Sequence, residues 1–371
     1  MKKSILFIVL IVLVGFMSSC ESDGPGETSD GFNRKALLEN WADNIIIPAY
    51  ADFTNETADL IVAGRNFQMD PSMTTLNDLR DSWLIAYKGW QRVTMFLYLK
   101  GDELLIRVNM NIYPSDTAAI QKNIKNGDYK LELSSYNDQQ GFPALDYMLY
   151  GLGTNDDEIL ARYTTDPMAE KNRKYVADLC TRIHSLASAV NDDWNTGFRD
   201  EFVNNDGSSV NSSVNRIVND YIFYYEKDLR LGKVGVPAGM FTNIILPRHV
   251  EAVYHGNIAN TLLNESLDAA QDFFNGVHYG GTTNGVGLDD YLNHLNSMKE
   301  GEDLTLLINN QFEAARVASD VLSENFEDEV LNNFPEFQEL LTALQLNIVL
   351  LKTDMLQALN INTDFIDSDG D

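Results

Sequence analysis

Cysteine and histidine are scarce in this sequence, whose 371 residues include two cysteines and five histidines. There is no HExxH motif and no cluster of cysteines, so the common zinc-binding patterns are missing. No serine or cysteine nucleophile motif is visible either. Cys180 lies in an apolar stripe at helical spacing, and we predict that it is a small core residue and not a reactive thiol.

Basic residues are also few: 27 lysines and arginines stand against 55 acidic residues, which gives a net charge of −28. Such a charge repels phosphate groups, so nucleic acids and anionic membrane surfaces are poor partners. Cations and basic ligands are compatible with it, although an acidic composition more often serves solubility. A hydrophobic content of 44% is typical of a folded globular protein.

The N-terminal apolar run, Ile5 to Phe16, is too short to cross a membrane. It follows Lys2 and Lys3 and leads through small residues to Cys20, which predicts a cleaved signal peptide over residues 1–19. The end of this segment resembles the lipobox of bacterial lipoproteins, in which the cysteine is acylated. We therefore predict that Cys20 is lipidated; the alternative is an ordinary signal peptide in which Cys20 is incidental.

Acylation of Cys20 would attach the mature protein firmly to a membrane, because each buried CH₂ contributes about 0.8 kcal/mol. Glu21 follows the cysteine in place of an aspartate, which favours the outer membrane, with the protein facing the periplasm or the cell surface. Residues 20–32 are predicted to form a flexible tether. Cys180 would then be the one remaining thiol, so no internal disulfide is expected, and losing two lysines with residues 1–19 would bring the net charge to −30.

Strand-like alternation is rare, whereas apolar residues recur every three or four positions along most of the chain, which predicts an all-α fold. One helix is expected to be interrupted near Pro48, and Ser212 or Ser213 is expected to cap another. Further helices are predicted over 75–99, from 141, over 172–195, 247–276, 304–326 and 335–359. We divide the chain into an N-terminal bundle (33–200), a C-terminal bundle (201–360) and an acidic tail (361–371).

Six fragments, in their order and spacing, resemble the imelysin family. They are DSWLIAYKGWQ, NMNIYPSD, GFPALDYMLYG, YYEKDLRLGKVGVPAG, VEAVYHGNIANTLLNESLDAAQDFFNG and LLKTDMLQALNINTDFIDSDGD. The resemblance implies an exported all-helical protein with two bundle-like halves related by an internal repeat. It also implies one of several activities, since the family includes insulin-cleaving metallopeptidases, periplasmic iron-uptake components and a polysaccharide-binding protein.

The family signature is G-x-H-x-x-E, and this chain has Gly141, Pro143 and Asp146 at the matching positions. Pro143 offers no donor atom to a metal, but it suits the first turn of a helix. Asp146 keeps a carboxylate on a shorter side chain. We favour a structural interpretation, in which Asp146 lies in the first turn and interacts with the helix dipole, over a retained ligand-binding role.

Other candidate ligands are weaker. Glu251 and His255 have the spacing E-x-x-x-H, which favours a contact on a helix surface over a metal-chelating pair. The remaining histidines are not paired at such a spacing: His184, His249, His278 and His294. The tail contains Asp364, Asp367, Asp369 and Asp371 but ends before the later ligands of a calcium loop, so a solvated acidic tail is favoured.

The resemblance, taken with the altered signature, implies an exported, membrane-anchored, non-catalytic lipoprotein that binds a ligand between its two halves, with iron or another nutrient as the expected cargo. Two alternatives stay open. One is a metallopeptidase whose site is rebuilt from Asp146 and from acids or histidines on distant helices. The other is a docking lipoprotein that presents an acidic surface. The cofactor is unknown, and the resemblance is compatible with a divalent metal or iron. The expected partners are the membrane, through Cys20, and a small ligand, cation or protein.

Overall fold

The structure of this protein is a computed structural model that describes residues 30–365. The signal peptide, Cys20 and most of the predicted tether lie outside the described residues. So do the tail residues Asp367, Asp369 and Asp371.

The all-α prediction is confirmed, since the described chain is mainly helical. The helices are α1 (Arg34–Asn40), α2 (Ile47–Met69), α3 (Met73–Val93), α4 (Lys100–Glu103), α5 (Ile106–Met110), α6 (Thr117–Asn126), α7 (Gly141–Tyr150), α8 (Asp156–Thr164), α9 (Ala169–Asp193), α10 (Arg199–Asn204), α11 (Ser213–Phe223), α12 (Ala259–Phe274), α13 (Leu288–His294), α14 (Leu304–Asp320), α15 (Phe326–Asn332), α16 (Phe334–Ile348) and α17 (Leu356–Leu359). A short hairpin pairs β1 (Met298–Lys299) with β2 (Glu302–Asp303).

Wider π-helical turns extend several of these helices. They are Trp41–Ile46, Trp194–Phe198, Tyr224–Gly235 and Val349–Met355, and single 3₁₀ turns cover Ser134–Gln139 and Pro247–His249. The chain changes from π-helical to α-helical turns at Ile47, just before Pro48, and its backbone stays helical there, so the structure has a change of helix type where an interruption was predicted. Ser212 caps α11 by accepting a hydrogen bond from the Asn215 amide, as predicted. The Trp194–Phe198 segment is kinked at Gly197, which has a φ of +144°.

Helix packing joins the two parts of the chain. In the first part α2 lies against both α3 and α9, and in the second part α14 and the segment Tyr224–Gly235 pack on α16. α3 also packs on α12, so the apolar core is continuous from one part to the other. The four indoles of Trp41, Trp83, Trp90 and Trp194 are all buried in it. The division into residues 33–200 and 201–360 stays our proposal.

Three predicted helices are longer in the sequence pattern than in the structure. The helix predicted over 75–99 ends at Val93, the one predicted over 247–276 begins at Ala259, and the one predicted over 304–326 ends at Asp320. Residues 250–255 form turns in which Ala252 has a φ of +52°. Glu251 and His255 therefore do not share a helix surface, and that interpretation is wrong.

Both ends of the described chain pack more closely than predicted. Phe32, assigned to the tether, stacks on Tyr291 with ring centroids 4.0 Å apart. In the predicted acidic tail, the amide of Asp364 donates to Asn219 of α11, and Phe365 packs edge-on against Phe223. Ile361 is buried and Phe365 is half-buried, whereas residues 362–364 are exposed, so this part of the predicted tail is held at both ends and solvated between them. Within residues 30–365, none of the helices combines the length and apolar character needed to cross a membrane.

Candidate functional site

The segment Gly141–Tyr150 enters its helix through a residue that has to be glycine. Gly141 has a φ of +77°, and a Cβ added there would overlap the carbonyl oxygen of Met110. Two residues later Pro143 is buried in the first turn, where its missing N–H is not needed. Close approach between α5 and α7 thus explains the glycine, and helix initiation explains the proline.

Asp146 is buried and lies in the second turn of α7, so the predicted interaction with the helix dipole in the first turn is wrong. Its carboxylate instead accepts two backbone hydrogen bonds from a segment more than 100 residues away. The Tyr254 amide donates to Oδ2 at 2.9 Å, and the His255 amide donates to Oδ1 at 2.8 Å. Asp146 therefore anchors the turns of residues 250–256 to α7 through two hydrogen bonds.

Burial dominates the titration of this carboxyl group. Desolvation raises the pKa of Asp146 to about 7, although the two amide hydrogen bonds favour the charged form and oppose that rise. Asp146 is thus a group whose charge changes near neutral pH, at the point where two distant segments meet.

Glu251 lies in the anchored segment and is buried in a polar cluster. It forms an ion pair with Lys233 and accepts hydrogen bonds from Asn111 Nδ2 at 2.7 Å and from Gln91 Nε2 at 3.2 Å. Gln91 Oε1 in turn accepts from Lys233 Nζ at 2.9 Å and from Ser266 Oγ at 3.0 Å. Burial lowers the pKa of Lys233, and its attraction to Glu251 opposes that shift. The cluster therefore joins residues from both halves of the chain.

The imidazole of His255 occupies a different environment. Its ring packs edge-on against Tyr150, with centroids 4.6 Å apart, and lies over Trp83 at 6.0 Å. The Asn257 amide donates to Nδ1 at 3.3 Å. Burial, reinforced by the charge of Arg80, lowers the pKa of His255 and favours the neutral ring.

A cavity of about 230 Å³ lies beside the Glu251 cluster, between the two proposed halves. Its wall includes Gln91, Arg107, Asn111 and Tyr113 from the first half, and Tyr224, Lys227, Asp228, Lys233, Val236 and His249 from the second. Ligand sites often occur at such interfaces between structural units. This cavity, which adjoins the buried polar cluster of Glu251, is therefore a candidate binding site.

Sequence reasoning missed most of these residues. Gln91, Asn111 and Lys233 come from three distant elements, and no local spacing connects them. One signal was present: Glu226, Arg230 and Lys233 follow one another at helical spacing along a face that is otherwise aromatic and apolar, and all three are buried. Charged residues in a predicted core stripe indicate a buried polar cluster.

The imelysin family model, of peptidase family M75, matches residues 46–355. The chain belongs to the imelysin family. Two solved structures share its fold. An imelysin-like protein from Psychrobacter arcticum 273-4 is 16% identical, with a TM-score of 0.68 over 90% of this chain and 97% of that one. A putative iron-regulated protein A precursor from Parabacteroides distasonis ATCC 8503 is 15% identical, with a TM-score of 0.67 over 89% and 97%. The search of curated proteins found no match.

A metal centre of the kind that the imelysin signature implies does not fit the residues at this site. Pro143 has no donor atom, and both oxygens of Asp146 accept backbone hydrogen bonds. Glu251 is neutralised by Lys233, and His255 stacks among aromatic rings. Among residues 30–365, no three histidine, cysteine, aspartate or glutamate side chains converge in a way that could hold a metal ion. A catalytic zinc site needs about three such ligands.

Proposed function

We propose that this imelysin-family protein is an exported, lipid-anchored binding protein without peptidase activity, and that it takes its ligand in the cavity beside Glu251. The observation that carries the proposal is the bonding of Asp146. A carboxylate that accepts two backbone amides is occupied in holding the chain, so Asp146 positions the segment that carries Glu251, beside the cavity, and is not the start of a metal centre.

The cavity supports binding in preference to docking alone. Its wall combines aromatic rings with polar groups, a mixture typical of small-molecule sites. Gln91 and Lys233 are almost fully buried there and keep a fixed arrangement through their mutual hydrogen bond. A preorganised polar wall lowers the cost of ordering side chains when a ligand binds.

Export and anchoring are part of the same proposal and rest on the sequence around Cys20. Labelling of producing cells with an alkyne fatty acid is expected to mark the wild-type protein and not Cys20→Ser. Cleavage after Ser19 in the mature protein, measured by mass spectrometry, is the second expected result. An unlabelled wild-type chain would remove the lipid anchor from the proposal.

The binding role is tested by filling the cavity. Val236 lines it and is half-buried, so Val236→Phe is expected to occupy the space at modest cost to stability. A thermal-shift screen of small nutrients, including iron-bearing compounds, is expected to find a ligand for the wild type that Val236→Phe no longer binds. Iron-bearing compounds belong in the screen because one structural neighbour is described as a putative iron-regulated protein A precursor.

The peptidase alternative is tested with the same protein. Metal analysis of the purified mature chain by mass spectrometry, with titration of zinc and iron into wild type and Asp146→Ala, is expected to show no stoichiometric ion that depends on Asp146. Metal-dependent cleavage of a protein substrate that disappears in Asp146→Ala would overturn the non-catalytic assignment.

A further inference from the structure

We propose that the ligand of this cavity presents a small oxyanion, a carboxylate or a phosphate group, to hydrogen-bond donors on the wall. This inference rests on the proposed function, because it names the chemistry of the same site. It begins from the hydrogen bonds that the wall leaves unmade.

Tyr224 provides the first unused donor. Its hydroxyl is buried and lines the cavity; Ser266 is a polar neighbour, but no group within residues 30–365 accepts the hydroxyl proton in good hydrogen-bond geometry. The neighbouring Ser266 hydroxyl has a single proton, which it donates either to Gln91 Oε1 at 3.0 Å or to the Leu262 carbonyl at 2.9 Å. A buried hydroxyl without an acceptor costs about 1–3 kcal/mol, so an acceptor supplied by a ligand would recover that loss.

Lys233 provides the second unused hydrogen-bond donor. Its ammonium group carries three protons, and the structure accounts for two of them, one on Gln91 Oε1 and one on Glu251 Oε2. The third has no acceptor among residues 30–365, and Lys233 lines the cavity. Glu251 neutralises the lysine from one side, which leaves the other side able to share its charge with a ligand.

The acceptors of the wall are already used. Gln91 Oε1 receives Lys233 and Ser266, Asn111 Oδ1 receives the Tyr87 hydroxyl at 2.6 Å, and Asp228 is paired with Arg107. Within residues 30–365, two buried acceptor atoms of the wall make no hydrogen bond: Asp228 Oδ2, which is held in the ion pair with Arg107, and Nδ1 of His249, which accepts or donates according to its tautomer.

The surplus of free hydrogen-bond donors over free acceptors on the wall favours an anionic ligand. A cation would find each nearby carboxylate already paired, since Asp228 bonds Arg107, Glu251 bonds Lys233 and Glu226 bonds Lys227 at 2.7 Å. A neutral polyol needs acceptors as well as donors, and the wall offers mainly donors. An oxyanion needs donors only, and hydrogen bonds to a charged acceptor are roughly twice as strong as neutral ones. A volume of about 230 Å³ restricts it to a small molecule.

The test is calorimetric titration of the purified mature protein with three probes: sodium phosphate, citrate and the neutral polyol glycerol. Phosphate or citrate is expected to bind and glycerol is not. Binding of citrate alone assigns the oxyanion to a carboxylate, and binding of phosphate alone assigns it to a phosphate; either result supports the proposal.

Tyr224→Phe removes one hydroxyl and little else, and is expected to weaken binding of the oxyanion at least about tenfold. Tyr136→Phe, outside the cavity, is the matched control and should bind as the wild type does. The double variant Lys233→Met with Glu251→Gln keeps the cluster neutral and is expected to abolish binding. Circular dichroism checks that each variant is folded.

Failure of this inference is distinguishable from failure of the proposed function. If a neutral or cationic compound from the screen binds and Val236→Phe blocks it, the cavity is the binding site and the oxyanion proposal is wrong. If no compound of any charge binds, both are wrong. Equal affinity of wild type and Tyr224→Phe for phosphate or citrate would also overturn the oxyanion proposal.

Discussion

At the scale of single residues, Gly141 is the tightest constraint in the segment that resembles the family signature. An alanine there would have both an unfavourable positive φ and a Cβ in the space of the Met110 carbonyl. We expect Gly141→Ala to lower the free energy of unfolding by about 2–4 kcal/mol, measured by urea denaturation. Gly207, where an added Cβ meets nothing, is the matched control, and Gly207→Ala should change it by less than about 0.5 kcal/mol.

The Lys233–Glu251 pair gives a second prediction at this scale. Lys233→Met leaves a buried carboxylate without its cation, so the free energy of unfolding is expected to fall by about 3–5 kcal/mol. Adding Glu251→Gln removes that stranded charge, and the double variant should recover a large part of the loss. A double variant as unstable as the sum of the two single variants would show that the two side chains are not coupled.

At the scale of structural elements, the turns of residues 250–256 depend on a neighbouring helix. Asp146 of α7 accepts the amides of Tyr254 and His255, so these amides should be protected from hydrogen exchange. In Asp146→Ala we expect faster exchange in peptides covering 250–256, measured by mass spectrometry, while α9 exchanges at the wild-type rate. Acceleration throughout the chain would instead indicate global destabilisation, and unchanged exchange at 250–256 would contradict the anchoring role.

The same segment shows where prediction from sequence succeeds and where it fails. α9 was predictable because its apolar stripe, including Val176, Leu179 and Ile183, is local and all of it is buried. Residues 250–255 continue a helical pattern, yet the Asp146 carboxylate takes two amides that a helix would have paired with its own carbonyls. A tertiary acceptor more than 100 residues away is invisible to periodicity, and it decides the local structure.

The candidate site likewise contains some residues that the sequence could predict and others that it could not. Gly141 and Asp146 could be singled out from the sequence because they lie close together in a segment that resembles the family signature. Lys233 and Gln91 meet only after two distant helices have packed, so their hydrogen bond has no counterpart in spacing along the sequence. Fold class was therefore predictable from local patterns, whereas the wall of the cavity was a consequence of the packing between the two parts.

At the scale of the whole molecule, the net charge of −28 and the buried carboxyl groups both make the folded protein less stable as the pH rises. Desolvation raises the pKa of Asp146 to about 7 and, with repulsion from Asp102, does the same for Asp220. Each of these groups binds a proton more readily in the folded chain than in the unfolded one. Self-repulsion of the acidic surface likewise weakens as carboxylates become protonated.

Stability should therefore fall as the pH rises from about 5 to about 8, because the folded state binds more protons than the unfolded state between the unfolded and folded pKa values. Groups whose pKa is lowered favour the opposite trend. Asp30 and Glu329 titrate below this range, whereas His184 and His255, whose pKa values lie below the usual 6.5, offset part of the decline at its acidic end. Urea unfolding across this range should show a decline that is shallower in Asp146→Asn by up to ~1.4 kcal/mol per pH unit. Asp157→Asn, at an exposed position, should follow the wild type. High salt should reduce the contribution of surface charge to this fall in stability. The difference between wild type and Asp146→Asn should remain, since a buried carboxyl is poorly screened. Loss of that difference in high salt would assign the pH dependence to the surface charges alone.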